Sequence, residues 1–401
     1  MGGPEYRRLV ATWTNWSGSA RADDADVRFV RSRDDLQAVV TGAAEQGRRI
    51  RVAGSGHSHF PLVPTDDVIV DLSGLSGVIG VRDADPPIAI VRAGTTIAAM
   101  GRPFHDAGVA LANQGDIDRQ TIAGAIATGT HGTGRTLRNL SASIVALTVV
   151  TADGRLRRFA EDEEADSFAA ARIGLGAFGA VTDVELAVVP AYRLAEQSWR
   201  LAYDDVRART PELAARHRHF EFFWYPRRDL AVAKAIDTTE AAPRYPVGEE
   251  GSRVAWSYEV LPNHRPNLHT EMEFAVPVES SLECLDEIRA LLQRDFTEVQ
   301  WPVEYRTIAA DDVWLSQAFG QDVATISVHE GIDVDAGPYF AACEAIFRRY
   351  DGRPHWGKVH DFDAEDLRRA HPRWDDWWRR RDAVDPDGVF LNPALQRWQP
   401  T

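Results

Sequence analysis

The chain has 401 residues, enough for two or three domains, and its 44% hydrophobic, 26% charged composition with 30 Gly and 21 Pro is that of an ordinary globular protein. A formal charge of −15 with no basic run to offset it excludes nucleic acid and anionic membranes as natural partners. Two cysteines, Cys284 and Cys343, are too few for a disulfide scaffold or a cysteine-built zinc site, and no metal site is expected.

The opening MGGPEYRRLVATW lacks the apolar run of a signal peptide, which leads to the expectation of a cytoplasmic protein. Ser32 precedes a helical pattern, DDLQAVVTGAAEQG, ending at Gly47. The strand RIRVAG and the loop SGHSHFPLVPTD follow, then strands VIVDL (68–72) and IAIVRAG (88–94). TIAAMGRPFHDAGVAL reads as a helix broken near Pro103, and TIAGAIATGTHGTG (121–134) as a connector of small residues too rich in Gly and Thr for a helix. ASIVALTVVTADGRLRRFA is a hairpin turned at Asp153-Gly154, and the strand AVTDVELAVV ends at Pro190. Beyond it, aromatic strands (FEFFWYP, RVAWSYEVLP) alternate with helices such as SSLECLDEIRALLQRD and PYFAACEAIFRRYDG. The expected organisation is α+β: a first domain over 1–190, a second with an antiparallel sheet over 191–350, and a C-terminal segment 351–401 folding back on the first.

Four segments carry chemistry. Gly54-Ser55-Gly56-His57-Ser58-His59 follows a strand, but His59 stands where a dinucleotide fingerprint needs its third Gly, and Pro61 and Pro64 disfavour the following helix. It reads as a loop whose N–H groups approach a phosphate or, equally well, as a tight structural turn. From Gly124 to Gly134 every residue except Ile126 and His131 is Gly, Ala or Thr, as where backbone lies close to something flat or anionic. In Glu304-Tyr305-Arg306 an extended strand puts the carboxylate and guanidinium side by side, able to serve polyol hydroxyls or simply to pair with each other. His329, in ATISVHE, allows the same two readings. Lastly, Pro354-His355-Trp356-Gly357-Lys358 holds one of only two lysines among 45 basic residues, the other being Lys234. Codon bias accounts for most of that imbalance, yet lysine supplies a compact charge that arginine does not.

Together with NQGDIDRQTIAGAIATGTHGTG, GLGAFGAVTDVEL, EYRTIAADDVWLS and FLNPAL, these segments resemble the vanillyl-alcohol-oxidase superfamily of FAD enzymes, in its aldonolactone oxidase and alditol oxidase branch. The resemblance covers most of 30–190 and the last 100 residues; 195–300 resembles the family weakly. It implies a two-part FAD domain covered by an antiparallel-sheet substrate cap. His57 stands where related chains attach FAD covalently, and the absence of cysteine from the first domain leaves no cysteinyl tether. Val52, Ala53, Gly54, Ser55, Gly56, His57 and Ser58, with Gly124, Ala125, Ile126 and Ala127 and nearby Thr121, would line the pyrophosphate and ring; Gly176, Gly179 and Val181 would hold the nucleotide.

By the same resemblance, His355 and Lys358 would sit against the flavin, with Lys358 stabilising charge at N1. Glu304 and Arg306 would orient substrate hydroxyls, and His329 would be a pocket histidine. Gly115 would border the flavin C4a–N5 edge, where a small residue favours access of O2. Asp116, a serine or similar residue in alditol oxidases, would make the site negative and disfavour acidic substrates. Tyr305 replaces an aliphatic residue and points away from the pair. The implied activity is oxidation of a CH–OH group in a neutral aldonolactone, with O2 as acceptor and H2O2 as product. The alternatives are an alditol oxidase and a dehydrogenase using another acceptor. A monomer or small homo-oligomer is expected.

Overall fold

The computed structural model describes residues 6–400. Ser32 caps the helix Arg33–Glu45: its hydroxyl accepts from the Asp35 N–H at 3.0 Å, and the Asp35 carboxylate accepts from the Ser32 N–H at 3.1 Å. That helix packs over a four-stranded sheet in the order Arg7–Thr14, Arg21–Phe29, Val68–Asp71, Ile50–Ala53. The second sheet is antiparallel, in the order Val78–Arg82, Ile88–Arg92, Ala180–Ala187, Ile144–Val150, Leu156–Ala160. The glycine loop 54–59 leaves the edge strand Ile50–Ala53 and no helix follows it.

The third sheet has eight antiparallel strands: Val254–Trp256, Arg193–Ala202, Leu230–Thr238, His219–Tyr225, Val303–Ile308, Val323–Gly331, His269–Pro277 and Arg353–Pro354. Its side chains alternate with period two. Phe220, Phe222, Trp224, Met272, Phe274, Tyr305, Ile326 and Val328 form a buried apolar face covered by the helices Tyr203–Arg216, Ser281–Asp295 and Gly337–Arg349. The intervening residues, Glu221, Lys234, Glu271, Glu273, Glu304, Arg306 and His329, stand on the other face. A sheet polar on one side and covered on the other is what positions the site.

Four expectations need correction. Pro103 lies inside a continuous helix, Ile97–Asp106, where it forfeits one hydrogen bond while Ile97, Met100 and Phe104 anchor the buried face. Residues Ile122–Ala127 are helical despite their composition, because Thr121 caps the turn at Gly124 and Ala125 and Ile126 are buried. RVAWSYEVLP is only briefly a strand, passing into the helix Ser257–Val260. The C-terminal segment does pack on the first domain, through Trp377 on the Ala170 carbonyl and Phe390 on Arg51, but it also reaches beyond it, since Arg353–Pro354 closes one edge of the eight-stranded sheet. No helix among the described residues is long and apolar enough to cross a membrane.

Arg51 joins the two ends of the chain. Fully buried, it donates to the carbonyls of Leu62 (2.7 Å), Leu175 (2.7 Å), Gly176 (3.0 Å) and Phe390 (2.5 Å). Burial, reinforced by nearby Arg381, pulls its pKa down to about 9. Arg51→Met strands four carbonyls at the base of the glycine loop. It is expected to cost about 3–5 kcal/mol in thermal or urea unfolding, on the scale of breaking a buried charged network. A change below about 1 kcal/mol would show the hub to be dispensable.

Candidate active site

Two cavities meet at His57, Ser58, Gln120 and Thr128. The narrower, about 120 Å³, is lined by Val52, Ala53, Gly54, Ser55, Gly56, His57, Ser58, Thr121, Gly124, Ile126, Ala127, Gly176, Gly179 and Val181. Of the residues expected here, Ala125 is set apart, buried beneath the short helix. Among the described residues the backbone N–H groups of Ser55 to Ser58 donate to no protein acceptor, leaving a run of donors facing the cleft. A Cβ on Gly54 would lie 2.3 Å from Thr121 Oγ1, and one on Gly179, at φ +124°, 2.4 Å from the Val150 carbonyl oxygen. These glycines are required by the close packing of the cleft walls, and the unbonded N–H groups along the lining are the donors that fit the pyrophosphate of FAD.

The larger cavity, about 660 Å³, lies between this loop and the polar face of the eight-stranded sheet. Glu304, Arg306, His329, Lys358, His355, Gly115 and Asp116 all line it. Arg306 is the hub: Nη2 lies 2.5 Å from Glu304 and 3.3 Å from Asp116, and Nε donates to Glu221 at 2.9 Å. Tyr305 turns away as expected, stacking on Phe222 at 5.0 Å with its hydroxyl 2.7 Å from Ser281 Oγ.

The other lysine belongs here too. Lys234 lies opposite Glu221 in the sheet register, with Nζ 2.5 Å from Glu221 and 3.4 Å from Glu250. Arg265 in turn contacts Glu250 at 3.2 Å and Asp116 at 3.0 Å. Lys234, Glu221, Arg306, Asp116, Arg265 and Glu250 therefore form a closed ring of alternating charge, neutral as a whole. Sequence reading missed Lys234, Glu221 and Arg265; the scarcity of lysine was the signal that marked Lys234.

Asp116 is consequently not the free negative charge expected of it. Burial opposes its ionisation, but Lys234, Arg306 and Arg265 hold its carboxyl far below the usual range. Glu304 goes the other way: burial, with Glu221, Asp116 and Glu271 nearby, raises it well above the usual range against the pull of Arg306. Gly115 has a packing reason to be small, since a Cβ would lie 3.0 Å from the His131 carbonyl oxygen and 3.3 Å from Thr130 Cγ2.

Lys358 lines the cavity, but its ammonium is paired with Glu271. Burial would raise the Glu271 carboxyl; Lys358 and His329 hold it well below its usual range. Glu271 and Glu273 were missed, and their E-x-E spacing on one strand face was the available signal. Glu273 contacts His131 Nε2 at 2.9 Å and accepts from Ser327 at 2.7 Å. His57 packs on Trp16 with ring centroids 5.7 Å apart; burial, then Lys358 and Arg119, lower its pKa to about 4. Burial also takes His329 and His355 to about 4.

The family model described as D-arabinono-1,4-lactone oxidase matches residues 184–251 and 246–398, and the one described as FAD binding domain matches residues 25–160. The chain is 34% identical to the L-gulono-1,4-lactone dehydrogenase of Mycobacterium tuberculosis, over 96% of this chain and 98% of that protein. It is 28% identical to the L-gulonolactone oxidase of Mus musculus (90% and 92%) and 29% to the alditol oxidase of a Streptomyces species (96% and 98%). Among solved structures, cholesterol oxidase from B. sterolicum shares the fold with a TM-score of 0.88 at 17% identity, over 100% of this chain and 98% of that one. A glycine cleft fitted to FAD, opening onto a polar cavity under an antiparallel cap, thus coincides with matches along nearly the whole chain: it belongs to the D-arabinono-1,4-lactone oxidase family of FAD-binding oxidoreductases, in the vanillyl-alcohol-oxidase superfamily.

Proposed function

We propose that the chain oxidises a CH–OH group of a neutral, polyhydroxylated aldonolactone such as gulono- or arabinono-1,4-lactone, with O2 as acceptor. The observation that carries this reading is the neutral ring of three cations and three carboxylates around Arg306, with Glu304 attached to it on the cavity wall. Such a wall offers donors and acceptors to hydroxyls without a surplus of charge to bind an acid. FAD, when bound, supplies the two-electron acceptor that takes the hydride. Arg306 and Glu304 hold the substrate hydroxyls so that the reacting carbon is presented in one orientation.

Of the two groups able to take the hydroxyl proton, Glu304 is the one moved toward neutrality, whereas His329 is moved away from it. Glu304 is protonated when its environment is acidic and accepts a proton only once ionised. The expected kcat/KM therefore rises with pH through the Glu304 ionisation. Glu304→Gln removes that limb and lowers kcat/KM by about 10²–10⁴-fold. An unchanged limb in the variant would assign the proton elsewhere.

His57 is the proposed covalent anchor. His57→Ala is expected to abolish yellow colour that survives acid precipitation while leaving some dissociable flavin; colour persisting in the acid pellet overturns the anchor. The activity is tested by turnover on gulono-1,4-lactone, arabinono-1,4-lactone, xylitol and an aldonic acid, read by peroxide and oxygen uptake. Lactone turnover with peroxide formation supports the reading. Preference for xylitol points to an alditol oxidase, dye reduction without oxygen uptake to a dehydrogenase, and preference for the acid overturns the neutral-substrate argument.

A further inference from the structure

Glu271 stands among three imidazoles. The Nε2 atoms of His59 and His269 lie 4.0 and 3.8 Å from its Oε2, and that of His329 lies 3.7 Å from its Oε1. Ligand atoms of His59, His269 and Glu271 all lie within 4.8 Å of one another. Sheet geometry creates the cluster: His269 and Glu271 share one strand face, and His329 is the cross-strand partner of Glu271. His59 is brought up by the glycine loop, its N–H donating to the Gly357 carbonyl at 2.7 Å.

Two rings are fixed from outside. His269 Nδ1 lies 3.0 Å from the Asn267 carbonyl and His329 Nδ1 2.9 Å from the Pro302 carbonyl. A carbonyl can only accept, so in both rings Nδ1 carries a proton and Nε2 is the nitrogen that faces Glu271. Anchoring of the outer nitrogen by a backbone carbonyl is what orients histidines that bind metals. Trp16 and Trp301 pack against His269 at 5.3 and 5.2 Å and hold its plane.

We propose that His59, His269 and Glu271 form a site for a divalent cation of the zinc class on the wall of the substrate cavity, with solvent completing its coordination and His329 beside the other oxygen of Glu271. Metal–ligand bonds of about 2.0–2.2 Å at tetrahedral angles put ligand atoms about 3.3–3.6 Å apart. The observed separations from Glu271 exceed that by only a few tenths of an ångström. Imidazole nitrogens select Zn²⁺, Co²⁺ or Ni²⁺ over Mg²⁺ and Ca²⁺, which prefer oxygen. The ammonium of Lys358 occupies the same carboxylate, so ion and lysine compete for Glu271. Lys358 lines the open cavity, which gives its side chain room to withdraw.

The test is equilibrium dialysis of untagged, EDTA-washed holoprotein against Zn²⁺ or Mg²⁺, with metal counted by elemental analysis. Wild type is expected to take up about one Zn²⁺ per chain and no Mg²⁺ at the same concentration. His269→Ala and His59→Ala each weaken Zn²⁺ binding at least about tenfold. Lys358→Met strengthens it about twofold to fivefold by removing the competing charge. Zn²⁺ also raises the Tm of wild type and not that of His269→Ala, and His269→Gln repeats the measurement with a polar side chain kept in place. No saturable Zn²⁺ uptake, uptake undiminished in both histidine variants, or weaker binding in Lys358→Met overturns the proposal.

Discussion

Arg306→Ala is expected to lower kcat/KM by about 10³-fold, at the upper end of what one preorganised charge contributes. The guanidinium is the counter-ion of two buried carboxylates, Glu304 and Glu221, and of the half-buried Asp116, and it lines the cavity. Without it Lys234 and Arg265 remain for Glu221 and Asp116, but Glu304 is left without a cation. Arg306 lowers the Glu304 pKa, so its loss moves the acid limb of kcat/KM to higher pH. Uncompensated buried charge also costs about 3–5 kcal/mol of stability, so unfolding curves must accompany the kinetics. Arg306→Lys separates the two effects: it restores charge and most of the stability but not the forked donor geometry. If Arg306→Ala keeps kcat/KM within about tenfold of wild type, Arg306 does not touch substrate.

Lys358→Met is expected to lower kcat by about 10²-fold. The segment carrying it is clamped to the glycine loop by the bond from the His59 N–H to the Gly357 carbonyl, with Gly357 packed on Ser58, so the backbone from which the ammonium extends is fixed beside the glycine loop. Its pairing with Glu271 adds a second expectation. Glu271→Gln removes the partner but not the cation and should cost less than Lys358→Met. The double variant should lose no more than Lys358→Met alone, because both act through one ion pair. Full additivity would assign Glu271 a separate role. An unchanged kcat in Lys358→Met would reduce the lysine to a counter-ion for Glu271.

Much of the site could be read from local pattern. The glycine loop 54–59, the small-residue run after Thr121 and the alternation Glu304-Tyr305-Arg306 are properties of a few consecutive residues, and each reappears on a cavity wall or, for Tyr305, on the opposite face. What was misjudged involved competition between local and distant effects. Pro103 and the Gly/Thr-rich run argue against helix one residue at a time, but buried Ile97, Phe104, Ala125 and Ile126 hold both helices in place. The charge of Asp116 was misread because its partners, Arg265 and Arg306, lie about 150 and 190 residues away in the chain and nothing local announces them.

By itself the sequence determined the fold family and the FAD cleft through its resemblance to known chains, and the strand carrying Glu304 and Arg306 through period-two alternation, a short-range consequence of covalent structure. Only the tertiary structure decided which charges answer which. Lys234 reaches Arg306 through Glu221 because the strand His219–Tyr225 is seated between Leu230–Thr238 and Val303–Ile308, and Lys358 finds Glu271 because the chain after Arg353–Pro354 runs beside His269–Pro277, the Val359 N–H donating to the Glu271 carbonyl. Strand order and register are fixed by burial of the whole apolar face, and a carboxylate's ionisation depends on every charge within a few ångströms of it, from whatever part of the chain that charge arrives.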